Sequence, residues 1–336
     1  MLRIFTILSL ITIGFTAFCG ETDVVVRNDD ANIELAGTLA LPEDRIPDFF
    51  IVFASGSGAQ NRDEEVFGHR PFKVLSDTLT AEGYGTLRMD DRGVGQSTGQ
   101  FETAVLEDFT GDVLSGVKFL RERYPKARIG ILGHSQGGQV AVKAAARGEV
   151  DFIVTLAGPA WKGDSLIMSQ CRALAVATTG SWQGERMERK LLDIAMTDVP
   201  PHFAKLLLYD VFAEQLGDMM KVPEMQERVY AQIEPLVSPM YHDLLRYDPT
   251  DDIKAVDVPW IALNGDKDLQ VIVGNLDTIK ELNPNAVTLV MEDHNHLFQP
   301  AITGLPTEYH LAGKSPSDKT IETILYALNK YIRRTE

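Results

Sequence analysis

Arg128-Ile129-Gly130-Ile131-Leu132-Gly133-His134-Ser135-Gln136-Gly137-Gly138-Gln139-Val140-Ala141-Val142-Lys143-Ala144-Ala145-Ala146 is the stretch that decides how this chain folds. Residues 128–132 are a short apolar run and residues 140–146 favour a helix, so the stretch reads as strand, sharp turn and helix. A serine at such a turn is held in a strained backbone conformation. Side chains two positions before and after it would collide with neighbouring chain, and Gly133 and Gly137 occupy those places. The turn lifts the Ser135 hydroxyl clear of the sheet, while the new helix aims unpaired N–H groups and its positive dipole end at developing negative charge. Ser135 is thus a candidate nucleophile and the Gln136 N–H a candidate oxyanion donor. Glycine and serine are common, so the pattern takes its weight from the flanking strand and helix. The rest of the chain must then supply an acid and a histidine, in that order.

Upstream, residues 23–27 and 33–41 are β-rich runs joined by Asn28-Asp29-Asp30-Ala31-Asn32, predicting an antiparallel hairpin at the sheet edge. Residues 48–54 form an unbroken apolar run, the mark of a strand buried on both faces and hence of a parallel sheet. It leads into Ser55-Gly56-Ser57-Gly58, small residues whose backbone N–H groups can approach a ligand closely; a plain flexible loop is the competing reading. Arg62, Asp63, Glu64 and Glu65 then read as a solvated charged stretch or a salt-bridged lock. Residues 71–81 set Phe72, Leu75 and Leu79 on one helical face, with Gly83 as the stop. Residues 85–89 form another strand, ending in Asp90-Asp91-Arg92-Gly93, whose acids and arginine are expected to pair and brace the loop beside the elbow. Residues 106–124 predict a long helix, and this alternation means βαβ units with right-handed crossovers.

Downstream, residues 151–156 are again a strand, but after Gly158-Pro159-Ala160 the pattern changes. From Leu166 to about Leu245 no strand is expected, and Met168, Met187, Leu191, Leu208, Phe212 and Met220 recur at helical spacings. This predicts a helical cap inserted between strands. Its methionines suit ordinary core packing or a pocket that accepts varied acyl chains. His202 and His242 lie in it and read as structural or exposed. The sheet resumes at residues 258–263, followed by the polar loop Asn264-Gly265-Asp266-Lys267-Asp268-Leu269-Gln270-Val271. A last strand, residues 286–291, leads into Glu292-Asp293-His294-Asn295-His296-Leu297-Phe298, and a closing helix runs from about 317 to 332. Ser, Asp and His therefore stand in chain order on three loops, each at the carboxyl end of a predicted parallel strand, the edge along which open α/β sheets bind ligands. In such a set the histidine takes the serine proton and returns it to the leaving group, and a buried carboxylate fixes the histidine's tautomer. Asp266 competes with Asp268 for the acid, and His294 with His296 for the base.

At 336 residues the chain suits one large α/β domain with an insertion, or two domains. Lys and Arg total 32 against 48 Asp and Glu, a net charge of −16 without any basic cluster, which argues against nucleic acid as a partner. Arg3 followed by a largely apolar run from 4 to 18 and by Cys19-Gly20-Glu21 has the pattern of a secretory signal peptide over residues 1–20. Lipid attachment at Cys19 and an uncleaved anchor are the alternatives, the first weakened by the bulky Phe18. Export to the periplasm or medium is the expectation, with any membrane contact confined to this segment. With Cys19 removed, Cys171 has no disulfide partner and is expected to be a small buried hydrophobe.

In these residues the chain resembles the α/β-hydrolase superfamily, and more narrowly bacterial carboxylesterases of the EstD type and the serine aminopeptidase-like hydrolases. The shared segments are Gly56-Ser57-Gly58 with Arg62-Asp63-Glu64, Asp90 to Gly99, the elbow, Tyr247-Asp248-Pro249, Asn264 to Val271 and Asn295 to Gln299. The resemblance implies an α/β-hydrolase fold: a mostly parallel sheet with helices on both faces, core segments 21–165 and 249–336, and a helical cap at 166–248. It selects Asp268 over Asp266 and His296 over His294, giving Ser135, Asp268 and His296 as the triad. It assigns the oxyanion donors to the N–H groups of Gln136 and Ser57, with Gly58 the alternative. Met240, where relatives tend to carry an aromatic residue, is a departure that bears on the pocket wall. The implied activity is hydrolysis of small-molecule carboxylic esters through an acyl-enzyme, with no cofactor and no metal. Amide or thioester hydrolysis on the same machinery is the alternative. A non-catalytic binding protein on a hydrolase scaffold is a further one, which a complete triad argues against.

Overall fold

The computed structural model describes residues 20–311 and 313–333; the expectations for residues 1–19 lie outside them. The strands are β1 (Gly20–Asn28), β2 (Ile33–Leu41), β3 (Phe49–Ala54), β4 (Gly85–Met89), β5 (Arg128–His134), β6 (Phe152–Leu156), β7 (Trp260–Gly265) and β8 (Val287–Met291). They form one sheet in the order β1-β2-β4-β3-β5-β6-β7-β8. Only the β1–β2 and β2–β4 pairings are antiparallel; from β4 to β8 every pairing is parallel. The central parallel strands β3, β5 and β6 are buried on both faces, as their apolar runs require, while the edge strand β8 is partly exposed.

Period-two alternation sends successive side chains of β3 to opposite cores. Phe50 and Val52 join Ile129, Ile131 and Ile153 on one face. There they meet α2 (Leu106–Arg123), through Val113, Val117 and Leu120, and α3 (Gln136–Ala146), through Val140, Ala141 and Ala144. Phe49, Ile51 and Phe53 join Leu132 and Val154 on the other face. They pack against Phe72, Leu75 and Leu79 of α1 (Pro71–Ala81) and against Ile321 and Ile324 of the final helix, Asp318–Leu328.

Between β6 and β7 the chain is helical: α4 (Gly163–Thr179), α5 (Glu185–Ala195), α6 (Pro201–Leu216), α7 (Pro223–Leu236), α8 (Pro239–Arg246) and α9 (Thr250–Ala255). The segment begins at Gly163, ahead of the expected Leu166. The reason is a stitch between its ends: the Gly163 N–H donates to the Tyr247 carbonyl at 3.0 Å, and a Cβ at 163 would strike the Leu244 carbonyl. It has cores of its own, one from Leu191, Leu208, Phe212, Met220, Val229 and Ile233, another from Met168, Leu192, Ala195 and Leu245. Cys171 is half-buried rather than buried, and burial together with the nearby Glu188 pushes its thiol up to about 12. After β7 come α10 (Gly274–Leu282), β8 and the final helix, α11.

The turn from β5 into α3 leaves no room for side chains at its glycines. A Cβ on Gly133 would strike the Gly137 carbonyl, and one on Gly137 would strike the Ala54 carbonyl at the end of β3. These obstacles are backbone and cannot rotate away. Gly133→Ala should therefore abolish folding or lower stability by more than about 3 kcal/mol. Gly111→Ala, in α2 with its nearest foreign atom at an ordinary 3.6 Å, should stabilise by about 1 kcal/mol. Urea unfolding of the two variants checks the ranking; equal effects would contradict it.

Candidate active site

Ser135 has φ 52° and ψ −121°, a conformation that costs a non-glycine residue about 1–3 kcal/mol and that survives only where the surroundings enforce it. Here the enforcement is the β5–β6 ladder, which the Ser135 N–H extends by donating to the Leu156 carbonyl at 2.9 Å, and the start of α3. The next residue, Gln136, is the first of α3, so its N–H is one of the helix's donors without an intrahelical acceptor. Gly56, on the loop after β3, passes directly over the serine: a Cβ there would lie 3.3 Å from Ser135 Cβ. Ser57 and Gly58 follow on the exposed part of that loop, with Gly58 at φ +92°.

Asp268 and His296 come together from the loops after β7 and β8. The His296 Nδ1–H donates to Asp268 Oδ2 at 2.7 Å, with both side chains buried. The other carboxylate oxygen, Oδ1, accepts the N–H groups of Gln270 at 2.8 Å and Val271 at 3.0 Å. Asp268 is thus fixed by its own loop and presents one oxygen to the imidazole. The competing residues are occupied elsewhere. Asp266 is exposed and accepts the Asp293 N–H at 2.6 Å, joining the two loops. His294 has Nδ1 at 2.6 Å from the Glu292 carbonyl and Nε2 at 2.8 Å from Ser317 Oγ. The hydrogen bond therefore joins the same acid and histidine that the resemblance selects.

Of the two readings of residues 62–65, the structure shows the salt-bridged lock rather than the solvated stretch: Asp63 pairs with Arg88, and Glu64, 3 % exposed, accepts the Gly56 N–H on Oε1 at 2.7 Å and faces His134 Nδ1 at 2.9 Å. The loop after β4 departs from expectation. Asp90, Asp91 and Arg92 do not pair with one another. Asp90 binds Arg62 at 2.7 Å, and Arg92 reaches α2 to bind Asp112 at 2.7 Å and Asp108 at 2.9 Å. The reason is direction: successive residues leaving β4 point to different neighbours, whereas the guanidinium partners arrive from other elements. Asp91 is left with neutral partners, the Ser55 hydroxyl at 2.6 Å and the Gln60 N–H at 2.9 Å. His242 lies 3.7 Å from Asp198 on the helical segment and His202 is exposed. Among the described residues no group of three or more His, Cys, Asp or Glu side chains could hold a metal ion.

Burial raises the Asp91 carboxyl from the ordinary 3.8 to about 7; Ser55 and Gln60 oppose this, while Glu64 and Asp112 reinforce it. The folded protein therefore keeps a proton that the unfolded chain releases above about pH 4. Stability from this group is full below that pH and is lost as pH rises toward about 7. Asp91→Asn keeps the shape and removes the titration. Its Tm relative to wild type should rise between pH 4 and pH 7 and level off above; a difference that stays constant with pH would contradict this.

A family model described as serine aminopeptidase, S33, matches residues 70–206. Esterase EstD of Thermotoga maritima is 27% identical over 300 residues, which cover 87% of this chain and 64% of that protein. The chain thus spans under two thirds of the length of this curated relative. Among solved structures, the Pyrococcus furiosus esterase Pf2001 superposes with a TM-score of 0.59 at 19% identity, covering 94% of this chain and 92% of that one. Est1E of Butyrivibrio proteoclasticus, with ferulic acid bound, gives 0.55 at 17% identity, covering 93% of this chain and all of that one. Sheet order, elbow and these likenesses agree: the chain has an α/β-hydrolase fold and is similar in sequence to an EstD esterase and to the serine aminopeptidase, S33, family model.

Proposed function

We propose that the protein is a serine hydrolase that cleaves small-molecule carboxylic esters, with Ser135 as nucleophile, His296 as general base and acid, and Asp268 as its orienting carboxylate. The observation that carries this reading is the buried His296–Asp268 hydrogen bond beside a serine held at positive φ. The hydroxyl of Ser135 attacks the ester carbonyl carbon while His296 takes its proton. The N–H groups of Gln136 and Ser57, with Gly58 the alternative to Ser57, stabilise the oxyanion. Collapse breaks the ester C–O bond, His296 returns the proton to the departing alcohol, and the acyl group stays on Ser135. Water then attacks with His296 as base, releasing the acid and the free serine.

An open groove of about 650 Å3 supports an apolar acyl group as the substrate's recognised part; Trp161, Met168, Val176, Leu269 and Ile272 are among its lining residues. One of its lining residues, Leu269, follows Asp268 in the chain. Arg172, Arg189 and Glu185 are its charged residues, a balance that repels the α-ammonium of an aminopeptidase substrate. This favours esters over aminoacyl amides, and an ester also has the better leaving group. On the pattern of residues 1–19 we also place the protein outside the cytosol, as a secreted or periplasmic enzyme.

Ser135→Ala should remove labelling by a fluorophosphonate probe and lower ester turnover by a factor of about 10⁴ or more, with an unchanged Tm. Retained turnover would overturn the assignment. Asp268→Asn should cost at least about 10³-fold in kcat, because the amide favours the wrong imidazole tautomer, whereas Asp266→Asn should leave kcat within about threefold. The opposite ranking would move the acid by two residues. Comparing kcat/KM for p-nitrophenyl esters of rising chain length with that for aminoacyl p-nitroanilides tests the substrate class. Anilides matching the best ester would shift the reading to a peptidase.

A further inference from the structure

Behind the triad lies a second histidine–carboxylate pair that the mechanism does not use. His134, the residue before Ser135, is buried with its ring centroid 4.8 Å from that of His296. Both of its nitrogens face acceptors. Nδ1 lies 2.9 Å from Glu64 Oε1, and Nε2 lies 3.0 Å from the backbone carbonyl of His296. A carbonyl oxygen can only accept, so Nε2 must carry a proton. Glu64 Oε1 already accepts the Gly56 N–H at 2.7 Å, a short bond of the kind an ionised oxygen makes, so the second proton belongs on Nδ1. With Glu64 ionised, a neutral imidazole, which carries one N–H, leaves one of these contacts without a donor.

We propose that His134 is a permanently protonated imidazolium which, paired with Glu64, is the positioning unit of the active site. The proposal rests on the reading of Ser135, Asp268 and His296 as the triad. The pair reaches three separate loops at once. Glu64 holds the Gly56 N–H, the start of the oxyanion loop; His134 is the end of β5, from which the elbow springs; its Nε2–H holds the main chain of His296. No covalent chain shorter than many residues joins these loops, so their mutual spacing depends on this network. Gly56 N–H is thereby committed to Glu64, which leaves the next residues of the loop, Ser57 and Gly58, to face the substrate.

The groups facing His134 are Glu64 from the loop before α1, His296 and Phe298 from the loop after β8, and Asp268 from the loop after β7. Burial lowers its basicity, but the Glu64 charge and hydrogen bond, the His296 carbonyl and Asp268 together raise it above the ordinary value. Glu64 Oε2 is buried without a hydrogen-bond partner, so the carboxylate depends on the imidazolium for its stabilisation. Removing either charge strands the other.

Two measurements test this. In the wild-type protein at pH 8, 15N-resolved NMR of the histidine rings should show His134 with both nitrogens protonated; a neutral tautomer at that pH overturns the proposal even without any variant. Glu64→Gln keeps an acceptor for Gly56 but removes the charge. It should lower kcat for a p-nitrophenyl ester by about 10²-fold with KM changed less than threefold, since loop misplacement of order an ångström costs that much. His134 in this variant should become neutral at pH 8. Glu65→Gln, exposed and paired with Arg70, should behave as wild type. A folded Glu64→Gln protein with wild-type kcat overturns the proposal. Ser135→Ala measured alongside separates the two ideas: loss of labelling there with normal kcat in Glu64→Gln sinks the positioning unit alone, and retained labelling there sinks the triad on which it rests.

Discussion

The steric crossing at the β5–α3 turn is what the rest of the molecule depends on. Three backbone segments meet there with no room for side chains: Gly133 against the Gly137 carbonyl, Gly137 against the end of β3, and Gly138 against Gly158 after β6, where a Cβ would lie 2.6 Å from the Gly158 Cα. Because β3, β5 and β6 are neighbours in the sheet, this packing draws the carboxyl ends of the central strands under one helix N-terminus. The strain stored at Ser135 is small beside the two cores that enforce it, and it lifts one hydroxyl out of the sheet at a defined height.

Around that point the charged side chains divide their labour. Arg62–Asp90 and Arg92–Asp112 are well-placed ion pairs that tie the loop after β4 to its surroundings. Glu64, Asp91, His134, Asp268 and His296 instead lie in the buried region around the elbow, where a low dielectric strengthens every hydrogen bond and makes an unmatched polar atom costly. Asp91 staples both ends of the loop from Ser55 to Gln60 by hydrogen bonds to neutral donors, and a buried carboxyl with such partners is held in its uncharged form up to near neutrality. The loop over Ser135 is therefore held from two sides, by Glu64 at Gly56 and by Asp91 at Ser55 and Gln60.

The helical segment between β6 and β7 contributes in a different way. It packs on small cores of its own, its ends are stitched together by the Gly163–Tyr247 backbone bond, and Leu166 and Ile253 tie it to the two main cores. Its contribution to the groove sits beside Leu269 and Ile272 from the loop after β7, which makes the groove a joint product of the insertion and the sheet.

The sequence by itself determined the α/β alternation, the hairpin at the edge, the bounds of α1 and β4, the elbow and the helical insertion. Each of these is written in local features: a hydrophobic period, an unbroken apolar run, or glycines at set offsets from a serine. Residue pattern also named two acids and two histidines on the loops after β7 and β8, and resemblance chose between them. Which pair touches was decided by tertiary structure, because the loops after β7 and β8 must close before Asp268 Oδ2 and His296 Nδ1 meet. The same holds for what the sequence left unread. Glu64 stands in a charged run that resembles a solvated surface, and His134 is one more residue of a strand end; nothing local marks either. Their bond spans 70 residues and exists only because the sheet sets β5 beside β3 and brings the loop after β3 over the elbow. Arg92 likewise finds Asp112 rather than its neighbours in sequence, since an ion pair is selected by direction and distance in the folded chain, which residue spacing along a loop does not encode.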